Sequence, residues 1–241
     1  INKGLTEEDI LDGAGQAFEG GWSKVKLYFM LGLPTETEED MREIARLSDR
    51  VARRYYEIPK EQRNGKCQIT ASSSFFVPKP FTPFQWAPMC TAEEYMRRAE
   101  IVKEEFHAQL NRKSLKYNWH DAQVTVLEGV MARGDRKVGK VIEEAYRLGC
   151  LFDSWTESFR NELWIQAFEN TGIDPSFYNL RERSEEELFP WDFIDTGVSR
   201  SFLRSEWERA VQETVTPNCR QQCSGCGAAR FGGGICYEGK N

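Results

Sequence analysis

The chain has 241 residues, of which 40% are hydrophobic and 12% aromatic, and this is typical of a globular protein with one or two domains. Its formal net charge of −6 argues against a broad nucleic-acid-binding surface, and no apolar run approaches the length of a membrane helix. We therefore expect a cytoplasmic protein with neither a membrane nor a strong nucleic-acid partner.

Helix and strand patterns alternate through the first half of the chain. They predict helices over residues 6–18, 38–56 and 91–111, and strands over residues 25–31, 67–76 and 115–119. Strand 25–31 is a short, nearly continuous apolar run, which predicts a strand covered on both faces. This order of elements predicts α/β architecture with parallel strands and helical crossovers.

The loop after the first strand is the first candidate for a binding site. Gly32 and Pro34 end the strand, and either Thr35 with Glu38 or Thr37 with Asp40 then supplies a capping pair for the next helix. Ligands of α/β proteins bind at the carboxyl ends of parallel strands. On residue type alone, Thr35 and Glu36 are capping residues rather than catalysts.

The second half of the chain has a mainly helical pattern, with helices predicted over residues 121–131, 135–148, 156–170 and 199–214. Arg133, Arg136, Lys137 and Lys140 form a small basic cluster, which we interpret as a solvated helix face. The segment from residue 216 is rich in cysteine and glycine. The predicted division is an α/β part over 1–118, a helical extension over 119–215 and a Cys-rich tail over 216–241.

Cysteine usage indicates a reducing compartment. Of seven cysteines, four lie at the C-terminal end, whereas an extracellular disulfide framework distributes its cysteines through the fold. Cys219, Cys223, Cys226 and Cys236 therefore form a candidate metal site. Four thiolates bind either tetrahedral zinc or an iron–sulfur cluster, and their spacing does not choose between them.

Two segments carry a resemblance to a known family. Residues 27–40, LYFMLGLPTETEED, resemble the fifth strand and following loop of radical S-adenosylmethionine enzymes. Residues 73–86, SSFFVPKPFTPFQW, resemble the sixth strand and loop of the subgroup that has a cobalamin-binding domain. Shorter segments extend the resemblance over most of the chain: WHD at 119–121, ARGD at 132–135, GKVIEE at 139–144 and TPNC at 216–219.

The resemblance implies the second half of a partial (β/α) barrel. In this family a [4Fe–4S] cluster cleaves S-adenosylmethionine to a 5′-deoxyadenosyl radical. The three cluster cysteines follow the first barrel strand, so we expect them, and the cobalamin domain, to lie in a part of a larger protein upstream of Ile1. Gly32, Leu33, Pro34, Thr35 and Glu36 are then predicted to contact S-adenosylmethionine. No catalytic residue or substrate is implied, and Phe81 stands where the subgroup is expected to have a histidine.

The spacing of Cys219, Cys223 and Cys226 equals that of the radical cluster, but too little chain follows them to build a barrel. The resemblance favours a second iron–sulfur cluster there. The sequence is also compatible with two other classes of function. One is a non-catalytic metal-binding or interaction module, and the other is an unrelated α/β-barrel enzyme with similar βα-turn chemistry.

Overall fold

The computed structural model describes residue 1 and residues 3–232. Their contacts divide them into two compact units. The sheet unit comprises Gly4–Val77 and Cys90–Leu127. The helical unit contains Pro78–Met89 and the described chain from Glu128 onward. Helices long and apolar enough to cross a membrane are not found in these residues.

The sheet unit has the predicted alternation of helices and strands. Its elements are α1 (Glu7–Glu19), β1 (Lys24–Leu31), α2 (Glu38–Glu57), β2 (Gln68–Phe75), α3 (Ala92–Ala108) and β3 (Leu115–Trp119). The sheet order is β1-β2-β3, and both pairings are parallel. The predicted α/β class and parallel strands are therefore confirmed. Helix α3 ends three residues earlier than predicted, where Gln109 turns to an extended conformation.

One face of this sheet carries the core. Phe18 of α1, together with Val51 and Tyr55 of α2, packs with Ile69 of β2, and Val25, Leu27 and Leu115 pack around them. Leu31, Ala71 and Phe75 are also buried, as expected for side chains that alternate along strands.

The opposite face is open along β1, so the prediction of a strand covered on both faces is wrong. Burial along β1 alternates, and Tyr28 is 74% exposed. The apolar run does not indicate burial on both faces, because its large side chains Tyr28 and Met30 lie on the exposed side of the strand.

Helix α4 (Ala122–Arg133) belongs to the helical unit from residue 128 onward. The unit also contains α5 (Val138–Leu148), α6 (Asn161–Thr171), α7 (Pro175–Asn179) and α8 (Arg200–Val211). Helix α6 begins five residues later than predicted, since residues 153–158 form turns and a bend. The short helix α7 was not predicted. Trp86, Phe189, Trp191 and Leu203 form an aromatic core cluster, and Phe81 packs against it with a positive φ of 59°.

Arg133 is fully buried in this unit, so its placement on a solvated helix face is wrong. Its Nε donates to the carbonyl of Tyr178 at 2.9 Å and its Nη1 to the carbonyl of Ala87 at 2.8 Å. Arg183 in turn donates to the carbonyl of Arg133 at 2.9 Å. A buried guanidinium that donates to backbone carbonyls of two segments has a structural role, because it fixes those segments together.

Asp49 ties α2 to the segment after α3. It is 1% exposed, and its Oδ1 accepts the backbone N–H and the side-chain amide of Asn111 at 2.8 and 3.0 Å. Its Oδ2 accepts Nε of Arg53 at 2.8 Å. We expect Asp49→Ala to lower the free energy of unfolding by about 2–3 kcal/mol, because the Asn111 donors lose their partner. Urea denaturation followed by circular dichroism measures this loss.

Arg53→Ala is the matched control, because it removes the exposed partner of the same carboxylate. Exposed ion pairs contribute little, so a much smaller loss is expected. Equal losses of unfolding free energy in the two variants would show that the hydrogen bonds between Asp49 and Asn111 do not stabilise the fold.

Candidate functional site

The loop Gly32–Glu36 lies at the carboxyl end of β1, as predicted. Gly32 has a φ of +86° and Thr35 a φ of +69°, and the N–H of Glu36 donates to the carbonyl of Leu33 at 3.2 Å. Thr37 caps α2 in a reciprocal box with Asp40, which decides between the two capping pairs. Thr35 is therefore not the cap. As a β-branched residue in the left-handed region it is strained, and such strain often marks a functional site.

Glu36 is not a capping residue either. Its side chain is 7% exposed, and its Oε2 accepts both the N–H of Gly32 at 2.8 Å and Nη1 of Arg98 at 2.6 Å. Arg98 also donates through Nε to Glu94 at 2.8 Å. Burial raises the pKa of Glu36, and the bonds from Gly32 and Arg98 oppose that shift. This carboxylate closes the loop on itself and attaches it to α3.

Gly32 is required by packing. A Cβ atom at this position would lie 2.5 Å from Cε1 of Tyr95 and 3.4 Å from Sγ of Cys90. Tyr95 is fully buried, and its hydroxyl donates to the carbonyl of Phe76 at 2.5 Å, so the ring is held in place. The absence of a side chain at Gly32 thus allows the loop to pack against Tyr95 of α3. The glycine is therefore not evidence for the close approach of a cofactor.

The loop still offers hydrogen-bond donors to a ligand. In the described structure the N–H groups of Leu33 and Thr35 have no hydrogen-bond partner, whereas those of Gly32 and Glu36 do. Leu33 and Pro34 are half-buried and Thr35 is exposed. An adenine or a carboxylate placed against this loop would find two backbone donors.

Two buried hydroxyls lie on the covered face of the sheet, those of Ser73 in β2 and Tyr117 in β3. The sequence offers Ser73 no neighbouring histidine that would make it a nucleophile, and it does not single out Tyr117. Burial raises the pKa of Tyr117 to about 12; the nearby hydroxyl of Ser73 opposes this shift and the Glu36 carboxylate adds to it. Neither hydroxyl forms a well-aligned hydrogen bond with a described residue. Both residues lie within strands, where a sequence pattern records only alternation, so the pattern does not reveal that their hydroxyls lie close together.

The open face of the sheet carries polar side chains in register. Lys26, Thr70 and Lys116 form one row across the three strands, and Tyr28, Ser72 and Asn118 form the next row toward the carboxyl ends. The Nζ of Lys26 lies 4.8 Å from the centre of the Tyr28 ring. This surface adjoins the loop at the end of β1.

The described structure does not gather the tail cysteines. Cys219 and Cys223 are exposed, and Sγ of the half-buried Cys226 accepts the N–H of Ala228 at 3.4 Å. Groups of three or more His, Cys, Asp or Glu side chains suited to a metal ion are absent from the described residues. Cys236, the predicted fourth ligand, lies outside them. The metal site predicted at these four cysteines therefore stays a prediction.

Comparison with known proteins gives one distant relative. The chain is 26% identical over 173 residues, 72% of its length, to an uncharacterized protein from Methanocaldococcus jannaschii. The chain spans about a third of the length of that relative, since the match covers 35% of it. No family model matches the chain, and no solved structure matches it.

Gly32→Ala tests the packing role of this glycine. We expect it to lower the free energy of unfolding by about 2–4 kcal/mol, because a left-handed φ and the contact with Tyr95 both oppose a methyl group. Gly13→Ala, in the interior of α1 with nothing within 4 Å, is the control and should stabilise by up to about 1 kcal/mol. If Gly32→Ala is as stable as the control under thermal unfolding, the packing argument is wrong.

Proposed function

We propose that this chain forms the second half of a partial (β/α) barrel in a radical S-adenosylmethionine enzyme. The observation that carries the proposal is the one-sided sheet. Parallel sheets are ordinarily covered on both faces, but here the helices lie on one face and polar side chains line the other. A barrel places such a face toward its interior, where ligands bind at the carboxyl ends of the strands.

The two resembling segments support the proposal by their positions. Residues 27–40 form β1, its loop and the start of α2, and residues 73–86 include the end of β2 and the chain that follows it. Both segments thus leave the carboxyl ends of neighbouring parallel strands. The adjacent loop is closed by Glu36 and attached to α3 by Arg98, so its backbone donors are held in a fixed arrangement.

These residues would hold S-adenosylmethionine at the edge of the open face. The N–H groups of Leu33 and Thr35 would meet the polar edge of the adenine, while Tyr28 and Ser72 would line the adjoining surface. Bound next to a reduced [4Fe–4S] cluster, whose ligands are proposed to lie outside this chain, S-adenosylmethionine is the source of the 5′-deoxyadenosyl radical. This chain's part is to bind and orient the cofactor. The cobalamin domain is proposed outside it as well.

The test uses the complete protein, purified without oxygen and with its cluster reconstituted. We expect 5′-deoxyadenosine to form from S-adenosylmethionine on reduction, as detected by mass spectrometry. Ser72→Trp fills the open face near the carboxyl end of β2 and should lower cofactor affinity at least about tenfold by excluding the ligand.

Gln68→Trp is the matched control. It lies on the same face of the same strand but at the amino end, so cofactor affinity should be close to that of the natural protein. Equal losses in both variants would contradict binding at the carboxyl end. A protein that carries its cluster but yields no 5′-deoxyadenosine would overturn the proposed function.

We also propose that Cys219, Cys223, Cys226 and Cys236 bind one metal centre separate from the radical cluster. Their spacing supports this proposal, since closely placed thiolates repel one another unless a cation neutralises them. We expect Cys223→Ser to lose that centre, and the resemblance favours iron and sulfide over zinc. Metal and sulfide analysis of the complete protein, with Cys150→Ser as control, measures this. Unchanged metal content in Cys223→Ser would rule the site out.

A further inference from the structure

A groove lies on the helix side of the sheet unit, beside β3. It has a volume of about 410 Å³ and is lined by the last turns of α3, the turn after it and β3. That volume is within the range of small-molecule sites. The lining residues are Lys103, Phe106, His107, Arg112, Lys113, Leu115, Tyr117 and Trp119.

The floor of the groove is aromatic. The rings of Phe106 and Tyr117 are stacked with centroids 5.2 Å apart, and the ring of Trp119 lies 5.2 Å from that of Tyr117. Phe106 is buried, whereas Tyr117 and Trp119 are half-buried, so these two present ring surface to a ligand. Flat aromatic side chains of this kind stack on nucleobases.

The rim of the groove is basic. Lys103 pairs with Glu100, but the side chains of His107, Arg112 and Lys113 have no hydrogen-bond or ion-pair partner among the described residues. Arg112 is exceptional in this respect. Arg63 donates to backbone carbonyls. The remaining arginines of the sheet unit pair with carboxylates: Arg42, Arg46, Arg50, Arg53, Arg54, Arg97 and Arg98.

A comparable groove between α1 and α2 shows the contrast. It has a volume of about 480 Å³, but its cation, Arg54, is already paired with Asp12 and Glu57. The groove beside β3 instead holds two unpaired cations, Arg112 and Lys113, on a chain whose net charge is −6. An apolar segment would leave these cations without partners, so the charge favours an anionic occupant.

We propose that this groove binds a free nucleotide, with its base against Trp119 and Tyr117 and its phosphates against Arg112 and Lys113. Guanidinium and ammonium groups are the usual protein partners of phosphate. The volume accommodates one nucleotide rather than a strand. The inference does not depend on the proposed function, since these side chains lie on the opposite face of the sheet from Tyr28 and Ser72.

Isothermal titration of the complete protein with ADP tests this proposal. We expect one saturable site whose affinity falls as NaCl is raised, because the contacts are charged and exposed. Arg112→Ala/Lys113→Ala should weaken ADP at least about tenfold, since two charge-assisted contacts are lost. Adenosine and pyrophosphate, each carrying only one half of the ligand, should bind more weakly than ADP.

Lys24→Ala/Lys26→Ala is the matched control. It removes the same charge from the open face and should leave ADP affinity within about twofold. Equal weakening by the two double variants, adenosine binding as tight as ADP, or no ADP binding at low salt would each overturn the proposal. Tighter binding of a short oligonucleotide than of ADP would overturn the assignment to a free nucleotide. Unchanged thermal unfolding of the variants excludes misfolding as the cause.

Discussion

The sheet unit depends on the placement of α1, α2 and α3 on one face of a parallel sheet. Parallel strands need long crossovers, and each crossover here returns on the same side, so Phe18, Val51, Tyr55 and Ile69 share a single core. None of these three helices covers the opposite face, on which Tyr28 is 74% exposed. Lysine, hydroxyl and amide side chains occupy it along β1, β2 and β3, so the exposed area costs less than an apolar face would.

The same one-sided arrangement explains how the loop after β1 is held. Helix α3 lies on the covered face, and it supplies Arg98 to the Glu36 carboxylate and the Tyr95 ring against Gly32. Glu36 accepts two donors on one oxygen, which offsets the cost of burying its charge. The strained Thr35 lies between these fixed points. The contacts that α3 makes with the loop therefore come from the covered face, and they leave the N–H groups of Leu33 and Thr35 unpaired in the described structure.

Local features of this fold could be predicted from the sequence. The strand over 25–31 depends on neighbours within a few residues, so the pattern identifies it. Spacing limits the cap of α2 to two pairs, of which the structure forms Thr37 with Asp40. The parallel order followed from alternating elements. By contrast, Arg98 is 62 residues from Glu36, and the buried Arg133 bonds to carbonyls 45 and 46 residues away. Such contacts are fixed by packing, which a local pattern does not record.

Strand β3 shows how one short segment serves two surfaces. Its side chains alternate, so Lys116 and Asn118 extend the polar rows of the open face while Leu115, Tyr117 and Trp119 line the aromatic groove. A shift of register by one residue would exchange the two sets, placing lysine in the core and tryptophan among the polar rows. The stack of Phe106 on Tyr117 opposes that shift, because it is formed only in the observed register. The packing that builds the groove thus also keeps the open face polar.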